Sequence, residues 1–199
     1  STGQSIDVKK LLVEFSYYED IYSFCMSGYL TVRDALGVIE SLQLIGNEYL
    51  EFIFRKNVNE KPQTRTYRIY KVGNRAPDGN LNSEYYTLYF CSEDMLLAEQ
   101  IKISKSYTGK RISTNGSNDG IINDILINQL QINPEKIFFL EETDGVYDFI
   151  VPRLKPFEAI SWLSTYARPT TVGPQNADML FFETKNGYNY RSLQSMFKA

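Results

Sequence analysis

The sequence contains no histidine. That excludes Ser-His-Asp and Cys-His catalysis and removes the commonest metal ligand. Cysteine is scarce: only Cys25 and Cys91 occur, far apart in the chain. Two thiols alone make neither a zinc site nor a disulfide framework, so they read as buried thiols in a reducing compartment. No apolar run reaches the roughly 18 residues of a membrane-spanning helix, so no membrane insertion is expected. No signal peptide is visible, and Ser1-Thr2-Gly3-Gln4-Ser5 reads as a processed start. Glycine-rich phosphate loops are missing too. The stretch Gly116 to Gly120 lacks the Lys-Ser/Thr ending of such a loop and follows no strand. No internal repeat is present, and no cofactor is expected.

What is there is an ordinary globular composition. The 199 residues are 43% hydrophobic and 23% charged. A chain of this length buries about 70% of its unfolded surface. The net charge is −3, but its distribution is uneven. Residues 1–50 hold 7 acidic and 3 basic side chains, whereas residues 55–75 hold 7 basic ones and only Glu60 as an acid. Lys102, Lys105, Lys110 and Arg111 form a second basic run. Such runs are either solvated faces or contacts for an anionic partner. Aromatics reach 14%, with 15 Tyr and 12 Phe. That load suits β-rich structure and protein interfaces alike.

Hydrophobic periodicity predicts an α+β chain. Tyr29 to Val32 reads as a short strand. Asp34 to Leu44 fits either helix or loop, and Gly46-Asn47 marks a turn. Glu48 to Arg55 alternates as a half-buried strand, with Leu50, Phe52 and Phe54 on one side. Asn57 to Gln63 is a polar connection. Thr66 to Val72 and Tyr85 to Phe90 are further strands, separated by a turn region over 74–82. Strands at this spacing suggest an antiparallel sheet or small barrel. Ser92 caps a helix running to about Ile101. Residues 114–120 form a polar break. Gly120 to Leu130 is an amphipathic helix stopped by Asn133-Pro134. Lys136 to Leu140 and Val146 to Val151 read as strands joined at Asp144-Gly145. Pro156 opens a helix that Arg168-Pro169 ends. Met179 to Glu183 and Tyr188 to Leu193 form a hairpin around Asn186-Gly187. No later strands follow it, so it is expected to complete its sheet with a partner or to belong to a fragment.

The resulting division is a first β-barrel-like domain over 1–91 and a helical segment over 92–135, flexible near 114–120. A strand-helix-hairpin unit over 136–199 then begins or completes a second β domain. Chemistry is sparse in this framework. The carboxylate pairs Glu19-Asp20, Glu93-Asp94 and Glu141-Glu142 are adjacent, and neighbours on a strand point to opposite faces. Glu183 is the one acid whose setting would suit a hydrolase, against a plain reading as an exposed strand residue. Arg65-Thr66-Tyr67-Arg68-Ile69-Tyr70-Lys71 interleaves cations with aromatics, as a single-strand nucleic-acid-binding sheet would. Trp162 and Tyr166 share a helix face and read as packing. Asn115-Gly116-Ser117 matches a glycosylation acceptor that no secretion signal supports.

Two segments carry a family resemblance. Val151-Pro152-Arg153-Leu154-Lys155-Pro156-Phe157-Glu158-Ala159-Ile160-Ser161-Trp162-Leu163-Ser164 precedes Asp178-Met179-Leu180-Phe181-Phe182-Glu183-Thr184-Lys185-Asn186-Gly187-Tyr188, then Ser192-Leu193. Together they resemble the central baseplate hub of contractile-tailed phages of the T-even type and its relatives in type VI secretion spikes. The resemblance implies a barrel-like tube domain with inserted helices and the start of a second barrel. It implies a structural rather than catalytic role, in a homotrimer that adapts the tail tube to the spike. The implied partners are tube, spike and baseplate wedge proteins, with DNA passing through the lumen. The implied location is the virion baseplate, assembled in the bacterial host cytoplasm. It marks Pro156, Phe157, Ile160, Trp162, Leu163, Phe181, Phe182, Glu183, Gly187 and Tyr188 as motif residues for assembly.

Overall fold

A computed structural model describes residues 5–35, 37, 48–55, 62–79, 83–116, 119–170 and 178–198. The expectations over 38–47 and 56–61 lie outside the described residues. The chain is mainly antiparallel β with interspersed helices, an α+β, barrel-like arrangement. It divides into two compact units: Ser1–Tyr18 with Ser27–Glu93, and Glu19–Met26 with Asp94–Ala199.

The first unit is one antiparallel sheet. Its strands are β1 (Leu12–Tyr18), β2 (Ser27–Asp34), β3 (Tyr49–Phe54), β4 (Gln63–Pro77) and β5 (Glu84–Cys91), in the order β1-β2-β5-β4-β3. Alternation drives it. Leu30 lies opposite Leu88, Gly28 opposite Phe90 and Leu50 opposite Tyr67, so one face collects the apolar side chains. Phe90 is at its centre, with ring centroids 5.2 Å from Phe52, 5.3 Å from Tyr67 and 6.1 Å from Phe15. Burying such a ring contributes about 3 kcal/mol at most. Phe15 on one edge strand and Phe52 on the other are themselves 4.7 Å apart. Two edges can meet this way only if the sheet curls into a half-barrel. Register shifts in β4, between Ile69 and Lys71 and between Gly73 and Ala76, supply bulges that favour this curl. Gly28 is required here, because a Cβ would strike the Phe90 ring and the Ser16 carbonyl. β1 falls where the sequence shows only mixed and Tyr-rich residues.

The second unit holds a ribbon and a mixed sheet. β6 (Ile103–Lys110) pairs antiparallel with β8 (Tyr147–Leu154). β7 (Ile137–Leu140) runs parallel to β10 (Gly187–Ser192), which pairs antiparallel with β9 (Met179–Thr184). The helices are α1 (Glu93–Gln100), α2 (Ile121–Asp124), α3 (Pro156–Ser164) and α4 (Leu193–Phe197). Ile121, Ile122, Ile125, Leu126, Ile160 and Leu163 are fully buried and form the centre of the core.

Four expectations change here. The strands expected at 136–140 and 146–151 do not pair with each other but enter different sheets. Between them Glu141 is buried and accepts the Ser192 N–H at 2.7 Å, while Thr143 bridges to Pro169. These bonds commit the chain to other partners before the Gly145 turn. The helix expected over 120–130 is α-helical only to Asp124, then a π-helix over Ile125–Gln129, with the Leu130 N–H donating to the Ile125 carbonyl. It ends at Gln131, whose φ of 55° is left-handed, before Asn133-Pro134 is reached. β6 occupies what reads in sequence as a basic run. Finally, the hairpin loop is Lys185-Asn186, since Gly187 already pairs with Thr184.

Candidate assembly motif: helix α3 and the terminal hairpin

Pro156 starts α3 because its fixed φ suits a first helical position and its missing N–H costs nothing there. Glu158 reaches back to accept the Lys155 N–H at 3.2 Å. Residues at helical spacing then turn inward. Phe157, Ile160 and Leu163 are buried, and the Phe157 ring lies 5.4 Å from Phe181, 5.7 Å from Phe24 and 6.2 Å from Tyr188. Phe181 and Tyr188, on neighbouring strands, stack at 5.4 Å with planes 7° apart. Trp162 points elsewhere. It contacts Phe149 at 5.4 Å and Tyr166 at 5.6 Å, beneath the β6–β8 ribbon.

The structure therefore gathers Phe157, Phe181 and Tyr188 into one aromatic cluster, with Ile160 and Leu163 in the same core. Pro156 and Phe182 are buried as well. Gly187 adopts φ +125°, and a Cβ there would collide with the Lys136 carbonyl. That contact is what lets β7 lie beside β10. Glu183 is half-buried, and its carboxylate accepts the Met26 N–H at 2.9 Å. It fastens the Glu19–Met26 segment rather than facing an open cleft.

A polar network that the sequence does not advertise lies next to the cluster. The Tyr188 hydroxyl donates to Asp94 Oδ2 at 3.1 Å and lies 3.5 Å from Cys25 Sγ. Lys136 pairs with the same Asp94 oxygen at 3.0 Å. Burial, with the nearby Cys25, Glu183 and Asp94, pushes the Tyr188 hydroxyl well above the usual tyrosine range. Asp94 reads in sequence as a first-turn helix residue; its burial and pairing depend on β10 coming alongside. Both cysteines are free and buried, as expected. Among the described residues no group of three or more His, Cys, Asp or Glu side chains could hold a metal, and no helix is long and apolar enough to cross a membrane. The Arg65–Lys71 stretch is split by its strand: Tyr67 and Ile69 are buried on the concave face, while Arg68, Tyr70 and Lys71 lie on the other.

No family model and no curated protein matches the chain in sequence. Solved structures do match in shape. One is the E. coli c3393 protein, a type VI secretion component described as structurally similar to T4 bacteriophage tail proteins gp27 and gp5. It aligns with a TM-score of 0.55 at 10% identity, over 86% of this chain and 43% of its own. The chain has a phage-tail-like hub fold. A 43 kDa tail protein of prophage MuSo2 from Shewanella oneidensis also aligns, with a TM-score of 0.45 at 10% identity, over 86% of this chain and 47% of its own. The chain thus spans less than half the length of either structure. Within this hub fold the motif residues are interior: they hold the hairpin against α3.

Proposed function

We propose that this chain is a structural component of a phage-type contractile tail, the baseplate hub that joins the tail tube to the spike. The observation that carries this reading is the hub fold itself, matched over 86% of the chain. The motif arrangement supports it, since a Pro-Phe helix packs on an aromatic hairpin as the family resemblance implies. In this reading the chain works by assembly rather than catalysis, within the virion tail. Three copies would form a ring with tube, spike and wedge proteins around it and DNA passing through the lumen. The residues 136–199 would begin a second β domain. β9, at the end of its three-stranded sheet, would offer its outer edge to a neighbouring strand. The ten motif residues would serve assembly indirectly, by fixing that edge in place. Light scattering over a concentration series tests the reading. Trimers or larger rings are expected. A strictly monomeric chain whose hairpin amides are all protected from exchange would overturn it.

A further inference from the structure

The outward face of the five-stranded sheet carries a feature that the tail reading does not use. Four tyrosines cross it from strand to strand. Tyr18 is 6.4 Å from Tyr29, Tyr29 is 6.1 Å from Tyr89, and Tyr89 is 6.4 Å from Tyr70. The register explains the row: Tyr29 pairs directly with Tyr89, and the β4 bulge turns Tyr70 onto the same side. The ends of the row are open, with Tyr18 at 51% and Tyr70 at 47% exposure. Two cations lie on the same face. The Lys71 ammonium is 5.2 Å from the centre of the Tyr89 ring, and the Arg68 guanidinium is 4.1 Å from that of Tyr49.

Lys71 is exposed and has no carboxylate partner among the described residues, and the Tyr18 and Tyr70 hydroxyls have no hydrogen-bond partner among them. The other two accessible tyrosines of this face show what the missing partners would be. Tyr29 donates its hydroxyl to Glu14 at 2.7 Å, and Tyr49 donates to Glu93 at 2.7 Å. Both are tyrosine-to-carboxylate bonds. Tyrosine and arginine are also enriched where proteins bind each other.

We infer that this face is a docking surface for an extended acidic polypeptide segment of another protein. Its carboxylates would take the Lys71 ammonium and the Tyr18 and Tyr70 hydroxyls, and its apolar side chains would lie on the ring faces. The inference goes beyond the tail reading and stands without it, because it rests only on the first sheet. A nucleic-acid single strand fits less well. Its affinity depends on several cations tracking the phosphates, whereas this row has Lys71 and Arg68 against Glu14. Neighbouring rings are also tilted by 43° to 50°, which gives no common platform for stacked bases.

The test is fluorescence anisotropy with the full chain and a short labelled peptide of alternating glutamate and leucine. The same peptide with lysine in place of glutamate is the control. The acidic peptide should bind and the basic one should not, with binding weakened by added salt. Lys71→Glu and Tyr70→Ser should each weaken binding by about tenfold, whereas Lys71→Arg should retain it. Both side chains are exposed, so far-UV circular dichroism should be unchanged in all three variants. Equal binding of the two peptides, no binding, or binding indifferent to Lys71→Glu and Tyr70→Ser would overturn the inference. So would an oligothymidine strand that binds more tightly and displaces the peptide.

Discussion

Replacing Phe157 by alanine tests whether α3 and the hairpin form one packed core. Phe157 is 3% exposed, and its ring meets Phe24, Phe181 and Tyr188. Its neighbours come from a helix, two strands and the Glu19–Met26 segment, so they cannot all shift to fill the gap. A buried Phe→Ala change in such a setting costs about 3–5 kcal/mol. With a urea slope of about 2 kcal/mol per molar, the midpoint should fall by about 2 M. Trp162 is the only tryptophan in the chain and belongs to the same unit, so its fluorescence reports the transition. Phe157→Leu keeps most of the volume and should lose about 1.5 kcal/mol or less, which protects the test if the alanine variant fails to fold. Phe138→Ala is the control, since that ring is 56% exposed; it should stay within about 0.5 kcal/mol. A loss below about 1 kcal/mol for Phe157→Ala would refute the reasoning, because a tightly packed aromatic site cannot lose a ring so cheaply.

Three further outcomes are expected. Asp124 accepts bonds from Lys105 at 2.8 Å, Tyr107 at 2.7 Å and Asn128 at 2.8 Å. Burial raises its pKa, but these bonds outweigh that and hold it below the ordinary aspartate value of 3.8. Because the folded value is depressed, the contribution is complete above the unfolded pKa and disappears as pH falls through the folded one. Asp124→Asn should therefore cost about 1 kcal/mol at neutral pH, at the low end because the Lys105 ammonium is partly solvated, and the difference from wild type should close in acid. A gap that widens in acid urea titrations would contradict this. Gly187→Ala should destabilise by more than about 2 kcal/mol in the same denaturation assay, combining strain with the collision at Lys136. Gly109→Ala, also at positive φ but with nothing within 4 Å, should cost only about 1 kcal/mol; equal losses would remove the steric argument. Glu141→Ala should lower the thermal midpoint by an amount corresponding to about 1–3 kcal/mol, since it strips the Ser192 N–H and O–H of their buried acceptor. Glu141→Gln, which keeps an acceptor oxygen, should lose less.

The sequence by itself determined the elements whose periodicity is local. Leu50, Phe52 and Phe54 announce β3, and Phe157, Ile160 and Leu163 announce α3, because one buried face leaves a repeat that can be read along the chain. It also excluded histidine-dependent chemistry, and the 151–193 motifs pointed to the hub fold. The tertiary structure decided what depends on distant partners. β6 hides in a basic run because only Ile103 and Tyr107 turn inward while Lys105 stretches to Asp124. The 136–140 and 146–151 strands look like a hairpin, yet their hydrogen bonds go to β10 and β6. Asp94 resembles a solvated helix-start acid until Tyr188 and Lys136 surround it. The tyrosine row is scattered through the sequence from Tyr18 to Tyr89 and exists only because five strands align. Burial of a face needs only neighbours in the chain to show itself, whereas strand pairing, buried charge and surface patches are set by groups that meet only after the chain has folded.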